Sequence, residues 1–309
     1  MRVCCILQVR TLFSNDISKG KEAIPIVGVN DWDDDRLEIE DAGASAETLP
    51  LVRDKFGCPA LQRYITEDER APGIPEPEVP VLPEQFKDDP HKYIAQLNGG
   101  NLPYELASDG KTGILGSSMA MVYECGPWTG CQLGLSCPQA VTQRGCQWRL
   151  EVFKTRGRGW GVRSWDQIPY GAFVTAFHGL IRLALRDEDD EVDDTFVFNL
   201  DKRSDFSWDN QFLEEPDRQR DVKYVLDSTR VGSVGRYINH SCNPNCWVQP
   251  VLSRHGDRKM PSIAFFAMRN IPPMEELAYD YGSSYIQTRL DGQCHCGHAV
   301  CAFAGPSSS

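Results

Sequence analysis

Two polar segments in the second half of the chain decide how the sequence is interpreted. They read Gly235-Arg236-Tyr237-Ile238-Asn239-His240-Ser241-Cys242-Asn243-Pro244-Asn245-Cys246 and Met274-Glu275-Glu276-Leu277-Ala278-Tyr279-Asp280-Tyr281-Gly282. The first segment offers many hydrogen-bond donors and acceptors, which an ordinary core strand would not accommodate. In the second, the alternation of an extended chain places Tyr279 and Tyr281 on one face. Spacing alone favours the plainer interpretation, in which both tyrosines are half-buried strand aromatics.

Short apolar runs separated by turn residues surround these segments and predict a β-rich domain from about residue 148 to 290. The runs are 149–153, 160–163, 172–177, 195–198, 223–226 and 262–267. The best helix candidate is the stretch from Leu180 to Leu185. Prolines are dense across residues 66–110, which predicts a linker or extended loop without regular helix or central strand. The first third is therefore expected to wrap loosely around the β-rich domain.

Composition and charge limit the classes of function. A 309-residue chain with 41% hydrophobic and 25% charged residues is ordinary for a soluble globular protein. It has no apolar run of membrane-spanning length, and its first residues do not predict a secretory signal. The net charge of −12 disfavours direct DNA binding and favours a basic peptide as partner. The acidic run 186–194 is interpreted as a solvated loop, or alternatively as a rim that attracts such a peptide.

Cysteines near the end of the chain predict a zinc site. Cys294, Cys296 and Cys301 are spaced to wrap one tetrahedral ion, and Cys242 is the candidate fourth ligand. His295 and His298 are competing donors, and incidental cysteines in a frayed tail are the alternative. An earlier group consists of Cys125, Cys131 and Cys137, with distant Cys58 and adjacent Cys146. Its five-residue gaps are not those of a familiar zinc knuckle, so a second site there is left open.

A third segment, Arg158-Gly159-Trp160-Gly161-Val162, follows a predicted strand and by itself indicates only a tight turn. The three segments in this order, followed by Cys-x-Cys-x4-Cys, resemble the SET-domain lysine methyltransferases. The resemblance covers residues 148–303. It is strongest to the plant suppressor-of-variegation group, through residues 150–155, 224–230 and 16–22.

The resemblance implies a SET fold, mainly β, with small curved sheets and pseudoknot-like threading of the Asn-His-Ser-Cys segment. It divides the chain into a pre-SET-like and linker region (1–147), a SET domain (148–285) and a zinc-binding post-SET tail (286–309). The implied reaction is methylation of a histone H3 lysine, the ninth, by S-adenosylmethionine in nuclear chromatin. In the family pattern Tyr281 lies at the methyl-transfer site, and Tyr279 limits the product to mono- or dimethylation. The implied cofactor-binding residues are Arg158, Gly159, Trp160, Phe177, Asn239 and His240.

The sequence departs from the family at three places, one of which follows Cys301, where Ala302-Phe303-Ala304 stands in place of Arg-Gly-aromatic. The family has Glu-Tyr-x-Gly-Glu where this chain has Ala176-Phe177-His178-Gly179-Leu180, so Phe177 lacks a hydroxyl at the lysine channel. The pre-SET region of the group carries nine cysteines that hold three zinc ions, and this chain has too few. Two alternatives follow, a SET-like chromatin-binding module without turnover and a methyltransferase acting on a non-histone protein.

Overall fold

The structure is a computed structural model that describes residues 16–29, 61–155, 157–184, 196–200, 224–290, 292–301 and 303. In these ranges helix is confined to α1 (Pro90–Leu97), α2 (Ser283–Arg289) and short 3-10 turns. The strands are β1 (Val27–Val29), β2 (Arg63–Tyr64), β3 (Glu69–Arg70), β4 (Tyr104–Leu106), β5 (Gly113–Leu115), β6 (Val122–Tyr123), β7 (Leu150–Lys154), β8 (Trp160–Ser164), β9 (Phe173–Phe177), β10 (Leu180–Leu183), β11 (Val197–Asn199), β12 (Tyr224–Asp227), β13 (Val231–Gly232), β14 (Asn239–His240), β15 (Cys246–Leu252), β16 (Ser262–Ala267) and β17 (Glu276–Tyr279). The predicted mainly β fold is confirmed.

The sheet that carries the candidate site has the strand order β1-β7-β8-β17-β14. β7 and β8 form an antiparallel hairpin, with Leu150 opposite Ser164 and Lys154 opposite Trp160. β17 runs antiparallel to β8, and β14 runs parallel to β17 at the edge. This order places the two polar segments side by side, although they are distant in sequence.

A second sheet, with the order β6-β15-β16-β9, supplies much of the core. β15 pairs antiparallel with β16, beginning with Cys246 opposite Ala267. Phe265 and Phe266 on β16 are both fully buried. Because neighbouring strand residues point to opposite faces, Phe265 fills the main core and Phe266 a second core on the other side.

The first third of the chain contributes edge strands to the sheets of the β-rich domain. β1 pairs with β7, β2 with β13, β3 with β10 and β6 with β15. All four pairings are parallel and join segments far apart in sequence. The pairings made by residues 16–29 and 61–123 agree with the expectation that this region wraps around the domain, but it does so through paired strands and not loosely.

Two local predictions are wrong. Residues 180–183 form a strand instead of a helix, because β10 pairs with β12 on one side and with β3 on the other. The proline-dense stretch does contain a helix, since α1 begins at Pro90. Proline suits the first helical position because its missing N–H would have no partner there. Residues 71–83, by contrast, form neither helix nor strand, as expected.

The other predicted strands are confirmed as β7, β8, β9, β11, β12 and β16. The acidic run 186–194 and Cys58 lie outside the described residues. No helix in the described part of the chain is both long and apolar enough to cross a membrane.

Candidate active site

The pairing of β14 with β17 brings the two polar segments into contact, with Asn239 opposite Ala278. The Asn239 side-chain amide donates to the Trp160 carbonyl at 2.9 Å and to the Glu276 carboxylate at 2.9 Å. One amide therefore connects three strands, β14, β8 and β17. This explains why the Arg-Gly-Trp-Gly segment and the Asn-His-Ser-Cys segment meet at one place.

Asn245 fixes the other end of the first segment. Its amide nitrogen donates to Glu275 Oε1 at 2.7 Å and to the Glu276 carbonyl at 2.8 Å. Its amide oxygen accepts from the Ala278 backbone N–H at 2.8 Å. The side chain thus satisfies backbone groups that a neighbouring strand would otherwise satisfy. The Asn-Pro-Asn coil is held firmly for this reason.

Glu276 is central to this polar network, and sequence reasoning gave it no role. Its Oε2 accepts from Arg158 Nη2 at 2.5 Å, and Arg158 also approaches the His240 carbonyl at 3.5 Å. A Cβ added at Gly161 would lie 2.8 Å from Glu276 Oε1 and 2.7 Å from the Thr155 methyl group. Glycine at this position therefore makes room for the network. The only sequence signal for Glu276 is its place within the Glu-Leu-Ala-Tyr-Asp-Tyr stretch.

The two tyrosines lie in contact, with ring centroids 4.5 Å apart. The Tyr281 hydroxyl donates to the Ile238 carbonyl at 2.8 Å, and its backbone N–H donates to His240 Nδ1 at 3.1 Å. Because Nδ1 accepts, the neutral imidazole carries its proton on Nε2, which faces Cys242 Sγ at 3.3 Å. The segments thus fix both the ring and the backbone of Tyr281.

Tyr279, Tyr281 and His240 are held in their neutral forms. Burial, followed by the neighbouring Tyr281 and Tyr285, raises the pKa of Tyr279 well above its ordinary value. Burial also raises the pKa of Tyr281. Burial lowers the pKa of His240, against an opposing effect of Asp280. At neutral pH the tyrosines are therefore hydroxyls that can donate and accept hydrogen bonds, and neither is a phenolate base.

A narrow cavity of about 90 Å³ lies beside the tyrosine pair. Phe177 packs against Phe198 in its wall, with ring centroids 5.6 Å apart. The aromatic residues that line the cavity are Phe177, Phe196, Phe198, Tyr279, Tyr281 and Tyr285. Aromatic walls of this kind suit an aliphatic chain that ends in an amine.

A larger cavity of about 660 Å³ is lined in part by Ala176 and His178, the two chain neighbours of Phe177. Acidic and basic side chains line it, including Glu22, Asp68 and Arg254. None of the candidate site residues lines this larger cavity. The candidate active site therefore lies at the smaller of the two cavities.

The predicted tail ligands come together. The ligand atoms of Cys242, Cys294, Cys296 and Cys301 all lie within 4.8 Å of one another. Cys242 Sγ is 3.8 Å from Cys294 Sγ and 3.6 Å from Cys301 Sγ. These separations are close to the ligand–ligand distance of about 3.8 Å in a tetrahedral zinc–thiolate centre, so the four thiols fit Zn²⁺. Among the described residues, the competing donors His295 and His298 do not belong to this group.

One tail thiol has its ionisation shifted in the direction that metal binding requires. Burial by itself would raise the pKa of Cys296. Hydrogen bonds from the backbone near Cys242 and His298, and from the thiols of Cys294 and Cys301, outweigh burial and lower that pKa to about 7. A thiolate is therefore accessible at neutral pH, and the thiolate is the form that binds zinc.

The earlier cysteine group is only partly as expected. Cys125, Cys131 and Cys137 do meet, and they meet around His91, a residue that the sequence did not single out. Cys146 lies elsewhere, buried in the main core with its thiol donating to the Trp148 carbonyl. A histidine forty residues away in the chain gives no spacing signal, which is why it was missed.

Comparison with known proteins identifies the class to which this fold and site belong. Residues 159–282 match the family model described as the SET domain. The chain therefore belongs to the SET-domain family. Its curated relatives include the H3 lysine-9 specific histone-lysine N-methyltransferases SUVH1 and SUVH6 of Arabidopsis thaliana, which are 32% and 33% identical to it.

The alignments cover 93% of this chain in both cases, but 42% of SUVH1 and 35% of SUVH6. The chain thus spans about two fifths of the length of the curated relatives it matches. KRYPTONITE in complex with mCHH DNA, H3(1-15) peptide and SAH matches with a TM-score of 0.66 at 31% identity, covering 95% of this chain and 54% of that one. SUVH6 of Arabidopsis thaliana in complex with SAM also matches with a TM-score of 0.66, at 33% identity, covering 93% and 55%. The resemblance to the plant suppressor-of-variegation group is confirmed.

Proposed function

We propose that this chain transfers a methyl group from S-adenosylmethionine to a lysine side chain of histone H3, at the ninth position. The observation that carries the proposal is the narrow aromatic cavity bounded by Tyr279 and Tyr281, next to the Arg158–Glu276–Asn239 network. A lysine needs such a channel because its long aliphatic stem must be desolvated while its amine is aimed at one point.

The residues of the channel act by positioning. Tyr281 donates its hydroxyl proton to the Ile238 carbonyl, which leaves the oxygen lone pairs free to accept a hydrogen bond from an incoming amine. Because burial raises the pKa of both tyrosines, neither removes the proton from the lysine. The amine must therefore enter neutral, and the aromatic part of the wall favours this by lowering the pKa of a desolvated lysine.

We propose that the cofactor lies against Arg158, Gly159 and Trp160 on one side and Asn239 and His240 on the other, with Phe177 nearby. S-adenosylmethionine supplies an electrophilic methyl group on a sulfonium. Glu276 supports this arrangement by holding both Arg158 and Asn239. The zinc ion of the tail would fix Cys242 and thereby the segment that presents His240.

The proposed partner is the basic histone H3 tail. The net charge of −12 favours a lysine- and arginine-rich peptide, and the named activity of SUVH1 and SUVH6 is on H3 lysine 9. The KRYPTONITE complex contains DNA as well as H3 peptide, but this chain covers 54% of that protein. We propose that this chain does not itself contact DNA, and that its substrate places it in nuclear chromatin.

One observation favours a second candidate, a SET-like module that binds chromatin without turnover. Phe177 occupies the channel wall with no hydroxyl. The lost hydrogen bond would leave the packing of the channel intact while weakening the orientation of the amine. The contacts of Tyr281, Asn239 and His240 oppose this alternative.

The test is transfer of radiolabelled methyl from S-adenosylmethionine to recombinant histone H3, compared with transfer to a whole-protein extract. Tyr281→Phe is expected to lower the rate by about a hundredfold or more, because one oriented hydroxyl is lost. Tyr170→Phe is the matched control and should leave the rate unchanged, since Tyr170 lies outside the cavity. Mass spectrometry of the product should show one or two added methyl groups, as Tyr279 implies.

Three other outcomes would redirect the proposal. An inactive wild type that gains activity in Phe177→Tyr would indicate the binding module. Transfer to a protein in the extract but not to H3 would indicate a non-histone substrate. Equal rates for Tyr281→Phe and the wild type would contradict the assigned site.

A further inference from the structure

A second group of metal-ligating side chains lies well away from the active site and the tail. It consists of His91, Cys125, Cys131 and Cys137, and its four ligand atoms lie within 4.8 Å of one another. We propose that this group binds one structural zinc ion, which replaces a multinuclear pre-SET cluster with a single Cys₃His centre. The proposal does not depend on the methyltransferase function.

The geometry is that of a nearly closed tetrahedral site. His91 Nε2 lies 3.2 Å from Cys137 Sγ and 3.8 Å from Cys131 Sγ. Ligands of one zinc ion, at bond lengths of about 2.0–2.3 Å, lie about 3.5–3.8 Å apart. The ion therefore needs to draw the most distant pair of ligand atoms together by at most about 1 Å. The Gln139 backbone N–H also points at Cys137 Sγ, at 3.4 Å, as amides commonly do toward metal-bound thiolates.

The local fold explains how five-residue gaps can serve a metal. Each gap between successive cysteines contains a 3-10 turn, Pro127–Thr129 in the first and Gly134–Ser136 in the second. Gly130 (φ 67°) and Gly134 (φ 53°) adopt left-handed conformations that turn the chain back. The three thiols therefore point to one centre, and α1 supplies His91 from its first turn.

The surroundings indicate a structural role. Cys125 and Cys137 are buried beside Ile94, Trp128 and Ala140 in a small cluster that is separate from the main core. So few apolar side chains bury little surface, and small units of this kind are commonly stabilised by a metal. The cluster adjoins β6, which pairs with β15 of the SET core. The ion would fasten α1 and the 125–137 loops to that core.

A disulfide explains the group less well. Three thiols are present, so one disulfide would leave one thiol over and would give His91 no role. A tetrahedral ion uses all four side chains with no group left over. The pre-SET ligands of the family are nine cysteines. This site differs from them because one of its four ligands is a histidine, His91.

The test is metal analysis of the full-length chain purified without chelator. We expect about two zinc ions per chain, one in the tail and one here. Cys131→Ser and Cys296→Ser should each lower the content by about one ion, and both changes together should remove both. Cys146→Ala is the matched control, since this buried thiol lies outside both groups, and it should keep both ions.

His91→Cys tests the fourth ligand without depending on loss of folding. The variant should keep its zinc, because cysteine restores a complete ligand set. After replacement of zinc by Co²⁺, its visible spectrum should shift from that of the wild type as sulfur replaces nitrogen. A wild type with one zinc ion that Cys131→Ser leaves in place, or a Co²⁺ spectrum that His91→Cys leaves unchanged, would overturn the proposal.

Discussion

The Glu276 carboxylate offers the sharpest test of how the site is organised. It accepts from Arg158 through one oxygen and from Asn239 through the other, at 2.5 Å and 2.9 Å. Glu276→Gln keeps the size of the side chain, but its single carbonyl oxygen can replace only one of the two acceptors. Either Arg158 or Asn239 must therefore lose its partner, and the Arg158 guanidinium also loses its counter-charge.

The expected magnitude follows from the burial of the pair. A hydrogen bond to a charged group contributes about 1.5–3 kcal/mol, and a tenfold change in affinity corresponds to about 1.4 kcal/mol. The Arg158 and Glu276 side chains are 22% and 20% exposed, so water screens the pair in part and the lower half of the range applies. Glu276→Gln should therefore weaken the binding of S-adenosylmethionine by up to about 40-fold, the limit reached when binding must restore the whole of the lost interaction.

Isothermal titration of S-adenosylmethionine into the wild type and the variant measures this difference directly. Glu76→Gln is the matched control, because Glu76 pairs with Arg70 at the surface and belongs neither to the tyrosine cavity nor to the network around Asn239 and Asn245. It should change the affinity less than about twofold, as exposed pairs contribute little. A folded Glu276→Gln protein that binds as tightly as the wild type would refute the assignment of Arg158 and Asn239 to the cofactor site.

Three further predictions concern stability and the tail. Gly161→Ala should lower the free energy of unfolding by about 1–3 kcal/mol in urea denaturation, because its Cβ would crowd Glu276; an unchanged midpoint would contradict this. The Arg149 side chain hydrogen-bonds to Asp166 and lowers the pKa of that carboxyl below its ordinary value of 3.8. The stability that this contact contributes is complete above that value and is lost as pH falls through the lower folded-state pKa. Asp166→Asn should therefore make the free energy of unfolding depend less steeply on pH below about pH 4. Cys301→Ser should expose residues 283–301 to limited proteolysis, while equal protection would speak against a tail zinc.

Much of the fold was predictable because local sequence patterns indicate many of its strands. Six of the strands follow from short apolar runs between turn residues, and Cys294, Cys296 and Cys301 follow from close spacing. Cys242, the predicted fourth ligand, lies within reach of the other three thiols. These features depend on neighbours in sequence or on contiguous motifs, which can be recognised in a single sequence.

The two mistaken predictions have different physical causes. The stretch from Leu180 has no strong local preference, and its strand exists only because Asp227 and Glu69 lie opposite its first residue. Pro90 was interpreted as a helix breaker, although its position at the start of α1 requires no backbone donor. The partners that decide the first stretch lie far away in sequence, whereas Pro90 depends on its own position at the helix start.

The sequence by itself determined the SET-domain class, the β-rich architecture and the candidates Tyr279, Tyr281, Asn239 and His240. Tertiary structure alone decided that Glu276 connects Arg158 to Asn239, and that His91 joins three distant thiols. Such contacts form only when loop closure brings remote segments together, and their energies belong to the folded arrangement and not to any stretch of the chain.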